Sequence, residues 1–248
     1  MQELVLQKLR WNHPIPYPQM NTTQNNINVI IYCYPGMTLL DAIGPYEVLA
    51  QCGNMNIKWV SQSGRSVRAD SKMASIAINH SIQDVHQADL LIIPGSSITF
   101  VREMTNQPLM DWIKKIDETS QFTTSVCTGA FILAATGLLK GHKATTHWQS
   151  IDKLKQWNIQ PVQDRYVRSG KYFTAAGVSA GIEMALELVR SITDDHTAQA
   201  VQKAIEFYPA VSNSSSSDTL VHKKALDILD QKARAEPELL KKWEKIGS

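Results

Sequence analysis

Four extended runs, spaced by helix-length segments, most restrict what this chain can fold into. They are Val29-Ile30-Ile31-Tyr32-Cys33-Tyr34, Ile57 to Ser61, Asp89-Leu90-Leu91-Ile92-Ile93, and the stretch Thr123 to Val126. The first and third are apolar at nearly every position. A strand of that kind is buried on both faces, as in a parallel sheet with helices on each side. Helical patterns fall between the runs: one through Tyr46, Val48 and Leu49, one over residues 107–119, and an apolar one after Cys127. Further on, the reading gives a strand over Lys143 to Trp148, a helix over 149–157, and a helix from about Gly181 to Ile192. Asp194-Asp195 caps a last helix that ends near Phe207. Residues 65–82 read as short strands in a hairpin. Tyr166-Val167-Arg168 and Tyr172-Phe173-Thr174 flank Ser169-Gly170 as a second hairpin. Strands alternating with helices define an α/β fold with a mostly parallel central sheet.

The boundaries follow from composition. Residues 1–27 form an extension, with a short amphipathic piece (Leu4, Val5, Leu6, Leu9) and then Pro14, Pro16 and Pro18. Residues 28–210 form the α/β domain. Residues 211–248 hold a serine-rich linker, Ser212 to Ser217, and a charged helical tail with one apolar stripe. That stripe is read as a docking face, either on its own domain or on a dimer mate. Of 248 residues, 43% are hydrophobic, enough for a sizeable core. A net charge of +2 argues against a nucleic-acid partner. No apolar run is long enough for a membrane span, and no signal peptide is read at the start. Three cysteines without a CxxC pair suggest neither a disulfide scaffold nor a zinc site, so a reducing, cytoplasmic setting and no metal are expected.

The chemistry is expected at Ser125-Val126-Cys127-Thr128-Gly129, where a buried strand turns into an apolar helix. A thiol at that elbow meets free N–H groups and the positive end of the helix dipole. Such a position can lower a thiol pKa and suits a nucleophile. In an open α/β sheet, sites form beyond the carboxyl ends of the strands. The loops carrying Asp41, and Gly95 with Ser96, should meet Cys127 there. Gly95 lets the chain turn so that the Ser96 N–H points inward beside that of Thr128, a pair of donors for an anionic intermediate. Asp41 reads either as a helix N-cap or as an acid/base partner of Cys127. Because like charges repel, the pair works only if one proton is shared between them. His147, in Ala144-Thr145-Thr146-His147-Trp148, offers an alternative Cys–His pair, with a structural histidine favoured. Ser179 is expected to cap a helix.

Together these motifs resemble the ThiJ/PfpI superfamily of the class I glutamine amidotransferase-like fold, over roughly residues 28–208, and within it the isonitrile hydratase branch. The segments that carry the resemblance are Asp41-Ala42-Ile43-Gly44-Pro45, Ile93-Pro94-Gly95, Ser125-Val126-Cys127-Thr128-Gly129, Gly137-Leu138-Leu139-Lys140-Gly141, Ala144-Thr145-Thr146-His147-Trp148 and Gly177-Val178-Ser179-Ala180-Gly181. The resemblance implies a three-layer, flavodoxin-like sandwich with a nucleophile elbow. It also implies Cys127 as nucleophile, Asp41 as its acid/base partner, Thr128 as a site residue, and a homodimer acting on a small molecule without a cofactor. His147 and Gly44 are expected behind these residues, supporting them or serving the fold. The expected reaction converts an isonitrile to an N-formamide. The alternative is a non-catalytic small-molecule or redox sensor of the kind found in AraC-type regulators, although the tail is too short for their DNA-binding region. Three departures sharpen the reading. Ser96 stands where the family commonly has a second glycine and is expected to narrow the pocket. Thr128 replaces the histidine of protease-like members. Asp41 replaces the glutamate of members acting on glyoxals.

Overall fold

The computed structural model describes residues 26–208 and 219–246. The N-terminal amphipathic piece, the three prolines after it and the serine-rich linker lie outside those residues. Strand β1 (Ile27–Tyr32) is buried from Val29 onward and sits mid-sheet. It pairs in parallel with β2 (Met55–Ser61) on one side, Ile31 opposite Trp59. On the other it pairs with β6 (Leu90–Ile93), Ile31 opposite Ile92. Next to β6 lies β7 (Phe122–Val126), buried throughout, with Ile93 opposite Ser125. The seven-stranded sheet runs β10-β11-β7-β6-β1-β2-β5. Here β5 is His80–Ser81, β10 is Tyr166–Ser169 and β11 is Tyr172–Ala175. Only β10 is antiparallel to its neighbour, across the Ser169-Gly170 hairpin, whose Gly170 has φ +65°. Between β2 and β5 lies the small hairpin of β3 (Val67–Arg68) and β4 (Ser75–Ile76).

Helices cover both faces. On one, α1 (Leu39–Ala50) packs on α5 (Ala180–Ile192), which packs on α6 (Asp195–Ala204). Gly44 of α1 faces Ile182 of α5, where a Cβ would come within 3.1 Å of its side chain. Asp194 caps α6 as expected, accepting the Thr197 N–H at 2.9 Å. Ser179 occupies the N-cap of α5 without capping it: its hydroxyl accepts from Arg165 instead. On the other face, α2 (Phe100–Glu103) and α3 (Gln107–Thr119) pack on α4 (Gly129–Thr136). Asn106 caps α3, and Leu109, Met110, Trp112, Ile113 and Ile116 form its buried stripe. The result is a three-layer α/β sandwich with a mostly parallel sheet.

Two sequence expectations need correction. The strand over Lys143 to Trp148 is only β8 (Lys143–Ala144), which pairs with β9 (Gln160–Pro161). Beyond it, the Thr145 N–H donates to Thr174 Oγ1 and the Thr146 hydroxyl to the Cys127 carbonyl. These side-chain partners replace a strand ladder. A 3-10 helix then begins at Trp148. Asp41 is not an N-cap. Thr38 holds that position, and Asp41 lies inside the first turn of α1.

The tail docks on its own domain. Helix α7 (Thr219–Ala233) leads into α8 (Pro237–Lys245), whose Leu239 and Trp243 are buried. The Trp243 ring meets Phe131 of α4 at 4.7 Å and Phe100 of α2 at 4.8 Å between centroids, both edge to face. The stripe that could have faced a dimer mate is thus covered in cis at Leu239 and Trp243. Among the described residues, no helix is long and apolar enough to cross a membrane.

Candidate active site

Three loops beyond the carboxyl ends of β1, β6 and β7 converge as expected, and the contacts that join them are mostly backbone contacts. β7 ends at Val126, and Cys127 turns the chain with φ +57°, a left-handed conformation that non-glycine residues rarely adopt. Its N–H donates to the Ala175 carbonyl at 3.0 Å, and its carbonyl accepts the Thr146 hydroxyl at 2.8 Å. Both peptide groups of the strained residue are therefore pinned, which is how such a conformation persists. Gly129 follows because nothing larger fits: a Cβ there would collide with the Ile93 carbonyl oxygen. Gly95 has the same reason, since its Cβ would lie 2.5 Å from the Thr128 nitrogen. These two close approaches bring the loop after β6 onto the elbow.

Asp41 reaches this junction from α1 and is fully buried. Its Oδ2 accepts the Gly95 N–H at 3.0 Å. Its Oδ1 is buried without a hydrogen-bond partner, and the Cys127 thiol lies near enough to feel the carboxylate charge. Pro45, four residues on, has no N–H to give the Asp41 carbonyl, so the helix backbone is open at the acid itself. Burial pushes the Asp41 carboxyl up to about 7, against the pull of the Gly95 N–H. The negative charge of Asp70 adds to the rise, and Lys232 opposes it. The Cys127 thiol is raised above its ordinary value, first by burial and then by the Asp41 carboxylate. The Thr128 N–H and hydroxyl pull the other way. The expected lowering of the thiol pKa is thus reversed: desolvation outweighs the short helix behind it. A state with Asp41 ionised and the thiol neutral leaves these two neighbours holding one proton.

The expected pair of free amides also needs correction. The Ser96 N–H is not free: it donates to Thr128 Oγ1 at 2.9 Å, while the Thr128 hydroxyl donates to the Ser96 carbonyl at 2.7 Å. Thr128 thereby stitches the two loops together, and its own N–H is the amide that faces the sulfur. The Ser96 hydroxyl accepts the Phe100 N–H at 2.7 Å and so builds the start of α2.

A cavity of about 270 Å³ opens above Cys127. Thr38, Ser96, Thr128, His147 and Val178 form its floor and walls, and Leu229, Ala233, Leu240 and Trp243 of the tail close it. His147 lines this cavity with its ring tilted against that of Trp148, 5.5 Å between centroids, and makes no hydrogen bond to Cys127. Burial lowers its pKa, because desolvation disfavours the charged imidazolium. The other two thiols lie away from the cavity, Cys33 buried at the end of β1 and Cys52 beyond α1, where burial raises its pKa to about 11.

Sequence reasoning missed Thr38, Thr146, Lys153 and the tail residues as parts of the site. The tail did carry a signal, since Leu239, Leu240 and Trp243 repeat at helical spacing. Nothing local distinguished Lys153 or Lys232 from other surface lysines.

A left-handed cysteine between a buried strand and a helix, near a buried carboxyl, marks an α/β protein with a strand-to-helix cysteine elbow. Comparison with known proteins agrees. The sequence pattern of the DJ-1/PfpI family matches residues 27–191, and the chain belongs to that family. It is similar to an isonitrile hydratase from Pseudomonas putida, 33% identical over 206 residues that cover 83% of this chain and 89% of that protein. Among solved structures, a ThiJ/PfpI family protein from Pseudomonas syringae superimposes with a TM-score of 0.80 at 26% identity, covering 94% of this chain and 98% of that one. The HTH-type transcriptional regulator CdhR from Pseudomonas aeruginosa is 26% identical over 162 residues, 62% of this chain and 47% of the regulator.

Proposed function

We propose that this protein hydrates isonitriles to N-formamides without a cofactor, with Cys127 as nucleophile and Asp41 as acid and base. The observation that carries the reading is a fully buried carboxyl, titrating near neutrality, beside a thiol that lines a small cavity. The similarity to the Pseudomonas putida isonitrile hydratase supports it. The reaction needs a proton moved off sulfur and onto carbon, and one carboxyl in contact with the thiol can do both. Ionised Asp41 takes the thiol proton as sulfur attacks the terminal isonitrile carbon. Asp41 then returns that proton to the same carbon, leaving a neutral thioimidate on Cys127. Asp41, ionised again, takes a proton from water as the oxygen adds to that carbon. The C–S bond breaks and sulfur leaves with its electron pair. One water proton ends on nitrogen and the other on the Asp41–Cys127 pair, so isonitrile plus water gives the formamide. The Thr128 N–H stabilises charge on sulfur at the start and the end of the cycle.

Incubation of the reduced protein with cyclohexyl isonitrile, followed by chromatographic detection of N-cyclohexylformamide, tests the reading. A folded sample that forms no formamide overturns it and leaves the sensor alternative. A homodimer in solution belongs to the same proposal, and light scattering at micromolar concentration checks it.

A further inference from the structure

Beside the reaction cavity lies a second cavity of about 320 Å³, and the two share Ser97, Ile98 and Lys232 in their walls. The second carries four cationic side chains, Arg68, Lys72, Arg102 and Lys232, against two carboxylates, Asp70 and Glu236. Those carboxylates are already matched. Lys232 binds Asp70 at 2.9 Å, and Arg102 lies 3.5 Å from Glu236. Arg68 and Lys72 have no ion-pair partner among the described residues, so the cavity presents a surplus of two positive charges.

The surplus stands on a fixed frame. The Gly36 N–H donates to the Arg68 carbonyl and the Asp70 N–H to the Met37 carbonyl, tying this strap to the loop that enters α1. The Thr38 hydroxyl, at the N-cap of α1, donates to Asp70 at 3.3 Å. Unmatched cations around a cavity favour an anion, and a carboxylate accepts from guanidinium and ammonium groups together.

We propose that the second cavity holds the carboxylate of the substrate, so that the substrate class is an isonitrile bearing an acidic group. The isonitrile end sits at Cys127, the chain passes over Ser97 and Ile98 beneath Lys232, and the carboxylate rests between Arg68 and Lys72. The assignment rests on the hydratase reading, which supplies the reactive end. It goes beyond that reading in making charge, and not only size, the basis of selection.

The test compares 6-isocyanohexanoate with its methyl ester, which has the same chain and no charge. The expected result is a kcat/KM for the acid at least about tenfold above that for the ester, carried by KM and shrinking as salt is raised. In the double variant Arg68→Ala/Lys72→Ala the acid-to-ester ratio should fall to near one. A ratio near one in the wild type, or a ratio the double variant preserves, overturns the proposal. So does acceleration of ester turnover by free hexanoate, because the cavity would then take a separate anion. If neither compound is turned over, the hydratase reading fails and the cavity is judged by calorimetry with 6-isocyanohexanoate. Binding that the double variant loses keeps it as a carboxylate site, and no binding removes it.

Discussion

The elbow and the tail face each other across one cavity and are held in opposite ways. The elbow is fixed by backbone contacts and buried hydrogen bonds. Thr128 stitches two loops, Thr146 and Ala175 pin the peptide groups of Cys127, and Gly95 and Gly129 permit contacts that no other residue would. The tail is fixed mainly by the Trp243 ring and by partly exposed polar links: Lys232 to Asp70, Arg102 to Glu236, and Lys153 to the Ile246 carbonyl. Groups that must meet within a fraction of an ångström sit on the rigid side, and groups that select by shape and charge sit on the looser one.

The largest effect should come from disturbing the rigid side. Gly129→Ala drives a Cβ into the Ile93 and Pro94 carbonyl oxygens, with no flexible side chain to give way. A loss of at least about 3 kcal/mol is expected, read as the urea midpoint of unfolding or as failure to fold. Asp41→Asn should keep the fold and lose about a hundred- to ten-thousand-fold in turnover, because the amide cannot pass a proton. The sign of its stability effect is fixed too. The carboxyl rises from 3.8 to about 7 on folding, so the native state favours the protonated form. Its stabilising share is complete below about pH 4 and lost as pH rises through 7. Asn, which carries no charge, should therefore be more stable than the wild type by roughly 2–4 kcal/mol at pH 8. Thermal melts at pH 4 and pH 8 check this, and equal melting shifts at both would contradict it.

The looser side should answer more gently. Trp243→Ala removes the ring from Phe100 and Phe131 and opens the roof. A cost of about 1–3 kcal/mol is expected, at or below the lower end for a core aromatic, because Trp243 packs at the rim of the core. KM for small isonitriles should rise severalfold, while bulkier ones gain. An unchanged KM across a size series would mean the tail is not a roof. The smallest effect concerns pH. kcat/KM should climb between about pH 6 and 8 as Asp41 ionises and becomes able to take the thiol proton. Lys232→Met removes a cation that lowers the Asp41 pKa, so its acid limb should move to higher pH by a fraction of a unit.

What the sequence made legible divides along the same line. The runs at residues 29–34 and 89–93 pointed to the parallel sheet, because a strand apolar on both faces has few places to go. Asp41, Gly95 and Cys127 fell together because a parallel sheet brings its carboxyl-end loops to one edge. The Ser96 amide was misjudged because its fate depends on the Thr128 hydroxyl, 32 residues away. The direction of the thiol shift was misjudged for a related reason. A helix N-terminus is visible in sequence, whereas the depth of burial that outweighs it is a property of the whole fold. Asp70 and Lys232, 162 residues apart, carry no local mark of their pairing.

The left-handed backbone at Cys127 sets two selections against each other. Glycine would adopt φ +57° without strain, so a library sorted only for resistance to heat should drift toward glycine at position 127. A library sorted for turnover should hold the cysteine and accept the strain. Sequencing both pools would show, at one codon, how far the demands of folding and of chemistry diverge in this protein.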